Sequence, residues 1–365
     1  MTTTPRASLN PVRRRFAVIA VMAVLAHVSG CSIGPETVPR DRNGYGEMLG
    51  RSAREELLKN IVRLRYMESP VFLTVNSVVN QYSLDVLLTA GAAVNWGELD
   101  GSGTSLTGSG RYADRPTITY APMYGKKFTE TIITPIRAES VLTLIESGWR
   151  AETMLPLCVH SINGVRNRFY FGARQQQLDP QFARIVQIIG RLQAEGAMSL
   201  RLMESEVKGQ PSFVMVVSAA RTDEQNQLLA EVVSILGLDP GADHYRITFG
   251  SMARDDKEIA LVTRSILAIL ADMSTYVRVP QSDIDEGRAS PGAPTGEELV
   301  HPLVVHAGEK APLNYYVRIR HRGLWYWIDD TDMRSKGTFS TLIILTSIAE
   351  SSDAVQAPLL TIPTG

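Results

Sequence analysis

The chain has 365 residues, 44% of them hydrophobic and 21% charged, and 37 Lys and Arg against 38 Asp and Glu leave a net charge of −1. That balance, with no clustered basic stretch, excludes the phosphate-neutralising face that nucleic-acid binding needs. Two cysteines exclude a disulfide framework, and no stretch beyond residue 30 has the roughly 18 uninterrupted apolar residues of a membrane helix.

At the N-terminus Arg13, Arg14 and Arg15 precede an apolar run from Phe16 to Ala26, and Val28, Ser29, Gly30 and Cys31 follow. This is the order of a bacterial lipoprotein signal. The arginines hold the n-region on the cytoplasmic side, the apolar run has h-region length, and small residues at Ser29 and Gly30 fit a peptidase cleft. Residues 1–30 are therefore expected to be removed as a signal peptide, leaving Cys31 as a lipidated N-terminus with acyl chains of the palmitate type. Several chains anchor stably, since each buried methylene contributes about 0.8 kcal/mol. Ser32 stands where an inner-membrane retention signal carries an acid, so the expected place is the outer membrane, with the body facing the periplasm. Without residues 1–30, which hold four arginines and no acid, the net charge becomes −5.

Residues 31–45, with Gly34, Pro35, Pro39 and Gly44, read as a flexible tether. Residues 46–195 follow as an N-terminal helix, a long β-hairpin and a helical segment. Ser52 and Glu55 have capping-box spacing and open a helix with the apolar face Leu57, Leu58, Ile61, Val62 and Leu64, which Pro70 closes. From Val71 to Tyr120 the period becomes two. Tyr82, Leu84, Val86, Leu88, Ala90, Ala92, Val94 and Trp96 line one side of a long strand, and Ser83, Asp85, Thr89, Gly91, Asn95 and Gly97 dominate the other. The Gly/Ser tract Gly101 to Gly110 reads as a turn region, and Pro116 to Tyr120 resumes the strand. Residues 125–195 read as helical, with Thr134 and Pro135 opening one helix that Gly148 ends, and Asp179 and Pro180 opening another.

The segment 196–280 reads as mixed α+β. Two strands, 198–206 and 212–219, flank Lys208 to Gln210; a helix follows with Thr222 and Gln225 as capping box and Gly237 as stop; then come a short strand Arg246 to Phe249 and an amphipathic helix Glu258 to Met273. Residues 281–299, rich in Gly, Ser and Pro, read as a disordered loop. The last segment, 300–365, reads as a hairpin around Arg322 and Gly323, a helix Met333 to Glu350 and a short strand Pro358 to Ile362. The expected fold class is α+β, with antiparallel β-hairpins and sheet packed against amphipathic helices.

Asp329, Asp330 and Asp332 are the densest acidic cluster. Three carboxylates suit a divalent cation or another ligand, and the same residues suit the opening turn of the next helix. Trp325 and Trp327 share one face of a strand and Tyr326 takes the other, which makes either a stacking platform for sugar or peptide or ordinary cross-strand packing. Cys158 and His160 suggest a thiol nucleophile with its base, but Met154, Leu155 and Leu157 surround the thiol with apolar side chains and favour a buried structural cysteine. No metal-ligand spacing, phosphate loop or G-x-S-x-G elbow is present, so no catalytic residue, metal or cofactor is assigned.

The segments LRYMESPVFL (Leu64 to Leu73), RPTITY (Arg115 to Tyr120), SGW (Ser147 to Trp149), SING (Ser161 to Gly164) and RGLWYWIDDTDMRSKGTF (Arg322 to Phe339) resemble a family of uncharacterised proteobacterial lipoproteins. The resemblance spans most of the mature chain and implies a shared fold and lipidated export; it brings no activity and no catalytic residues. The sequence thus points to a lipid-anchored outer-membrane protein acting as a binding or assembly component of the envelope, with membrane, envelope proteins or further copies of itself as partners. Two alternatives stay open: an envelope hydrolase with a scattered catalytic site, and an oligomer contributing its 82–120 hairpin to a membrane pore.

Overall fold

The computed structural model describes residues 38–350 apart from 80–81, 94–102, 115–116, 172–173, 205–210 and 294–301. The signal peptide, Cys31, positions Val94 and Trp96 of the long strand, and the strand expected at Pro358 to Ile362 lie outside the described residues. The fold is α+β.

The chain divides into two compact units, Met1–Glu55 and Glu56–Gly365. Helix α1 (Val38–Arg65) starts in the first, where Arg51 pairs with Glu55 one turn on at 2.9 Å. This corrects two expectations. The tether does not extend through residue 45, because Pro39 falls in the first helical turn, where its missing N–H costs nothing. Ser52 is an interior helical residue and not a cap.

Within the second unit the expected apolar face is buried, from Leu57 through Leu64. The side chain of Asn60 fixes the exit of α1: its Nδ2 donates to the Val71 carbonyl at 2.7 Å and its Oδ1 accepts from the Val71 amide at 2.9 Å. Strands β1 (Leu73–Val79), β2 (Tyr82–Ala93), β3 (Gly103–Asp114) and β4 (Thr117–Pro122) then form two antiparallel ladders, β1 with β4 and β2 with β3. The Gly/Ser tract expected as a turn is mostly strand, since a ladder of backbone hydrogen bonds tolerates small residues when the partner supplies the apolar side chains.

Helices α2 (Gly125–Phe128), α3 (Ala138–Glu146) and α4 (Ala151–Cys158) follow, with a π-helical turn at Thr129–Ile133. The expectation of helix throughout 125–195 fails over β5 (Val159–Ile162), β6 (Val165–Arg166), β7 (Phe169–Phe171) and β8 (Arg174–Gln176). The SING segment is the reason: Asn163 and Gly164 take positive φ values of 45° and 82°, and Asn163 Oδ1 accepts from the Ala260 amide at 2.6 Å. Helix α5 (Pro180–Ala194) is capped by Asp179 as expected.

Strands β9 (Met198–Glu204) and β10 (Pro211–Val217), helix α6 (Asp223–Leu236), and strands β11 (His244–Phe249) and β12 (Glu258–Thr263) complete a six-stranded mixed sheet of order β6-β5-β12-β11-β10-β9. Thr222 and Gln225 form the capping box of α6, and Gly237 ends it at φ 65°. The helix expected from Glu258 begins eight residues late, as α7 (Ile266–Ser274) capped by Ser265. Glu258–Thr263 sits between two strands, parallel to β11, and five of its six residues are buried, so its continuous apolar run satisfies a central strand.

The loop expected to be disordered over 281–299 is also corrected for its described part. Helix α8 (Gln281–Asp285) opens it, Ala289 is buried, and the Ser290 amide donates to the Arg65 carbonyl at 2.9 Å. Polar side-chain and backbone bonds order this segment, which apolar content alone does not. Strands β13 (His306–Gly308), β14 (Val317–His321) and β15 (Leu324–Ile328) and helix α9 (Met333–Glu350) close the described chain, with hairpin and helix where expected.

One buried charge cluster lies between α4 and α7. Asp272, fully buried, meets Arg264 Nη1 at 3.2 Å and Arg168 Nε at 3.8 Å, and both arginines are themselves buried. Arg264 also donates to the Arg168 and Pro156 carbonyls. Removing the acid strands two guanidinium groups in low dielectric, which costs far more than removing a solvated pair. Asp272→Ala is expected to lower unfolding free energy by about 3–5 kcal/mol, read by urea denaturation. Glu231→Gln, at the exposed pair with Arg184, is expected to leave the midpoint nearly unchanged.

Candidate functional site

The C-terminal sheet, of order β13-β15-β14, has two unlike faces because strand side chains alternate. Tyr326 and Ile328 are fully buried, and Val317 and Ile319 beside them are buried as well. Trp325 and Trp327 are half-buried on the other face. Directly opposed residues share a face, so Trp327 is joined there by His306 and Arg318, and Trp325 by Gly308 and Arg320. The turn between β14 and β15 uses Arg322 and Gly323 at φ 47° and 86°, the paired positive values of a tight hairpin.

The outer face is built tightly. The His306 ring stacks on Trp327 with centroids 5.5 Å apart and 23° between planes. A Cβ at Gly308 would lie 3.3 Å from the Trp327 ring, so glycine lets the indole lie close against β13. The Arg318 guanidinium sits 4.1 Å from the Tyr315 ring centre and 5.2 Å from that of Trp325, and its Nη1 donates to the Pro312 carbonyl at 3.0 Å. A guanidinium held between aromatic rings and two half-exposed indoles form one strip of stacking and hydrogen-bonding groups.

Behind the sheet, the motif segments LRYMES and RGLWYW meet. The Tyr66 hydroxyl donates to Asp283 Oδ2 at 2.7 Å and lies 2.8 Å from the Tyr326 hydroxyl. Arg322 stands over the Tyr66 ring and pairs with Glu68 Oε1 at 2.8 Å, and His321 Nε2 lies 3.2 Å from Glu68 Oε2. Arg288 binds Asp283 Oδ1 at 2.7 Å. Burial raises the Tyr66 pKa, and bonding to Asp283 and Tyr326 adds to it, so its hydroxyl stays protonated. The bonds from Tyr66 and Arg288 hold the Asp283 carboxyl below its usual range. This network clamps; it offers no free acid or base.

The three aspartates do not converge. Asp329 Oδ1 accepts from the Thr331 amide at 2.8 Å and hydroxyl at 2.6 Å, Asp330 Oδ1 meets Lys336 Nζ at 2.7 Å, and Asp332 takes the Ser335 amide at 3.0 Å and hydroxyl at 2.5 Å. Each shapes the entry to α9. Among the described residues no group of three or more His, Cys, Asp or Glu is placed to hold a metal ion. Cys158 is fully buried at the end of α4, and burial pushes its thiol up to about 12, outweighing the nearby Arg264 charge, so it is no nucleophile near neutral pH. No described helix is long and apolar enough to cross a membrane.

The tryptophans were legible in sequence as one face. Val317 to Arg320 alternates apolar with polar, and that alternation places Arg318 and Arg320 on the outer face; His306 and Tyr315 reach it only through tertiary pairing and packing. No protein-family model matches the chain, and no curated protein or solved structure is significantly similar to it.

Two histidines stand in the sheet, His306 in β13 and His321 in β14, and both are held below the ordinary histidine value, chiefly by burial. For His306 the Arg278 charge adds to this, and for His321 the Glu68 carboxylate opposes it. The unfolded chain therefore takes up protons first on acidification. The stability these rings contribute is complete above about pH 6.5 and is lost as pH falls below it toward their folded values. The urea midpoint is expected to fall on going from pH 7.5 to pH 5.5, roughly the window set by the histidine pKa. His306→Gln and His321→Gln are each expected to flatten that fall, and an unchanged slope in both would show that other groups govern it.

Proposed function

We propose that this chain is a lipid-anchored component of the outer membrane, facing the periplasm, that works by binding an envelope glycan. The observation that carries the binding reading is the outer face of the C-terminal sheet, where Trp325 and Trp327 stay partly exposed although the core is already filled from the other side by Tyr326, Ile328, Val317 and Ile319. Indoles stack on the apolar faces of sugar rings, and Arg318, Arg320 and His306 offer donors to hydroxyls and carboxylates along the same strip. The signal pattern ending at Cys31 supports the anchor and the compartment, and the resemblance to proteobacterial lipoproteins agrees with it. The engaged aspartates and the inert Cys158 favour binding over hydrolysis.

The test is co-sedimentation of the purified protein with peptidoglycan, paired with quenching of tryptophan fluorescence, since half of the 4 tryptophans stand on this face. Trp325→Ala and Trp327→Ala are each expected to weaken binding about tenfold or more, as buried aromatic anchors do, ~1.4 kcal/mol each. Melting temperature is expected to fall by a few degrees, since each indole also packs on the sheet, so binding is compared at a temperature where parent and variants are all folded. Undiminished sedimentation of the double variant would remove the glycan reading. Mass spectrometry of the mature chain checks the anchor: Cys31 is expected as the first residue, diacylated through sulfur.

A further inference from the structure

The β2–β3 arm is a ladder of two strands of 12 residues each, paired from Tyr82 with Asp114 to Ala93 with Gly103. It continues the register of β1 and β4. Val79 pairs with Thr117 and Tyr82 with Asp114, a step of three residues on either strand, so both ladders belong to one hairpin. Among the described residues neither β2 nor β3 pairs with any other strand. Among the described residues both long edges of the arm are thus without a ladder partner, and an isolated two-stranded hairpin is only marginally stable in water.

Natural sheets blunt such edges with lysine, proline or bulges. The two strands contain neither lysine nor proline, and their pairing runs without a register shift. Even-numbered positions of β2 carry Tyr82, Leu84, Val86, Leu88, Ala90 and Ala92. Their register partners put Tyr112, Gly110, Gly108 and Leu106 on the same face, with Asp114 and Thr104 at its two ends. The odd positions pair Asp85 with Arg111, Leu87 with Ser109, Thr89 with Thr107 and Gly91 with Ser105. One face is apolar, with both tyrosines at one end; the other is mostly small and polar. A membrane strand needs about 9–11 residues with this alternation and aromatic positions at the interface.

We propose that the arms of several copies of this chain pair edge to edge and close into a β-barrel that spans the bilayer, with the even-numbered face toward lipid and the odd face toward a water-filled lumen. Each copy supplies both an outer β2 edge and an outer β3 edge, so neighbours related by rotation pair antiparallel and closure satisfies every edge. Two strands per copy make the total even, and about eight strands, hence about four copies, is the lower bound. The inference shares the envelope location proposed above but not the glycan face.

The experiment uses the full lipidated chain, extracted in detergent, sized by light scattering and reconstituted into planar bilayers of phosphatidylcholine and phosphatidylglycerol. A mass of about four copies or more and stepwise conductance are expected. Val86→Arg with Leu88→Arg, on the lipid face, is expected to reduce conducting events roughly tenfold or more, because charge is disfavoured there. The melting temperature should hold. Thr89→Asp with Thr107→Asp, on the lumen face, is expected to keep the oligomer and shift the reversal potential toward cation selectivity. The Cys31→Ser chain, reconstituted directly, is expected to conduct, so a missing lipid would overturn the anchor and spare the barrel. A detergent-extracted monomer that carries no current overturns the inference, as does conductance untouched by the paired arginines. Loss of glycan binding in the tryptophan variants with conductance intact supports it and separates the two readings.

Discussion

The C-terminal sheet holds its place through one hydroxyl. Tyr66 OH, at the end of α1, touches Asp283 from α8 and Tyr326 from β15, which lie 217 and 260 residues away in sequence. Three segments with no local reason to meet are fixed by a partly buried acceptor and two phenols that meet in the buried interior. Unmade, each buried polar group would cost about 1–3 kcal/mol. With the chain of bonds complete, Tyr326 is fully buried in the core, and the period of the strand turns its two tryptophan neighbours to the opposite face. The exposure of Trp325 and Trp327 is thus a consequence of how Tyr326 is held.

The same logic of pairing inside and freedom outside separates the two kinds of charge in this molecule. Asp272 neutralises Arg264 and Arg168 with almost no solvent to share the load, so the geometry of α4 and α7 is tied to a single carboxylate. Pairs such as Arg184 with Glu231 and Arg51 with Glu55 stand in water and add little. Arg65 is the unusual member. It is buried and no acid among the described residues pairs with it, burial brings its pKa down to about 10, and Gly292 passes so close that a Cβ there would lie 3.0 Å from its Nη2. Its backbone carbonyl, not its charge, does the tethering, by accepting from Ser290.

What could be read from sequence was what neighbouring residues decide between themselves. The capping box of Thr222 and Gln225, the Asp179 cap before Pro180 and the Arg322–Gly323 turn are settled within four residues, and each stands where local rules put it. The misses share a cause as well. Glu258–Thr263 has an apolar run that suits a helix or a buried strand equally, and only flanking by β11 and β5 decides. Gly103–Asp114 looks like a turn until a strand of matching length lies opposite. The 281–293 stretch is ordered by Tyr66 and Arg65, some 217 residues back, which no window along the chain contains. For the binding face, the tryptophans and, through the alternation of β14, Arg318 are legible in the sequence, whereas His306 joins them only through the pairing of β13 with β15, which no local rule contains.

The two alternating surfaces differ in one respect that decides what each is suited for. On β15 the alternation lasts five residues, its apolar side is consumed by the core, and its outer side is a short strip braced by β13 and β14. A surface of that kind gains from a ligand but does not need one. On β2 and β3 the alternation lasts 12 residues, and the described ladder ends at its own two strands. Among the described residues both edges of that ladder lack a further strand, and lipid has no groups to pair with a backbone edge. A closed ring of like strands satisfies every such edge, and for that reason the arm carries the assembly proposed above while the tryptophan face carries the proposed recognition.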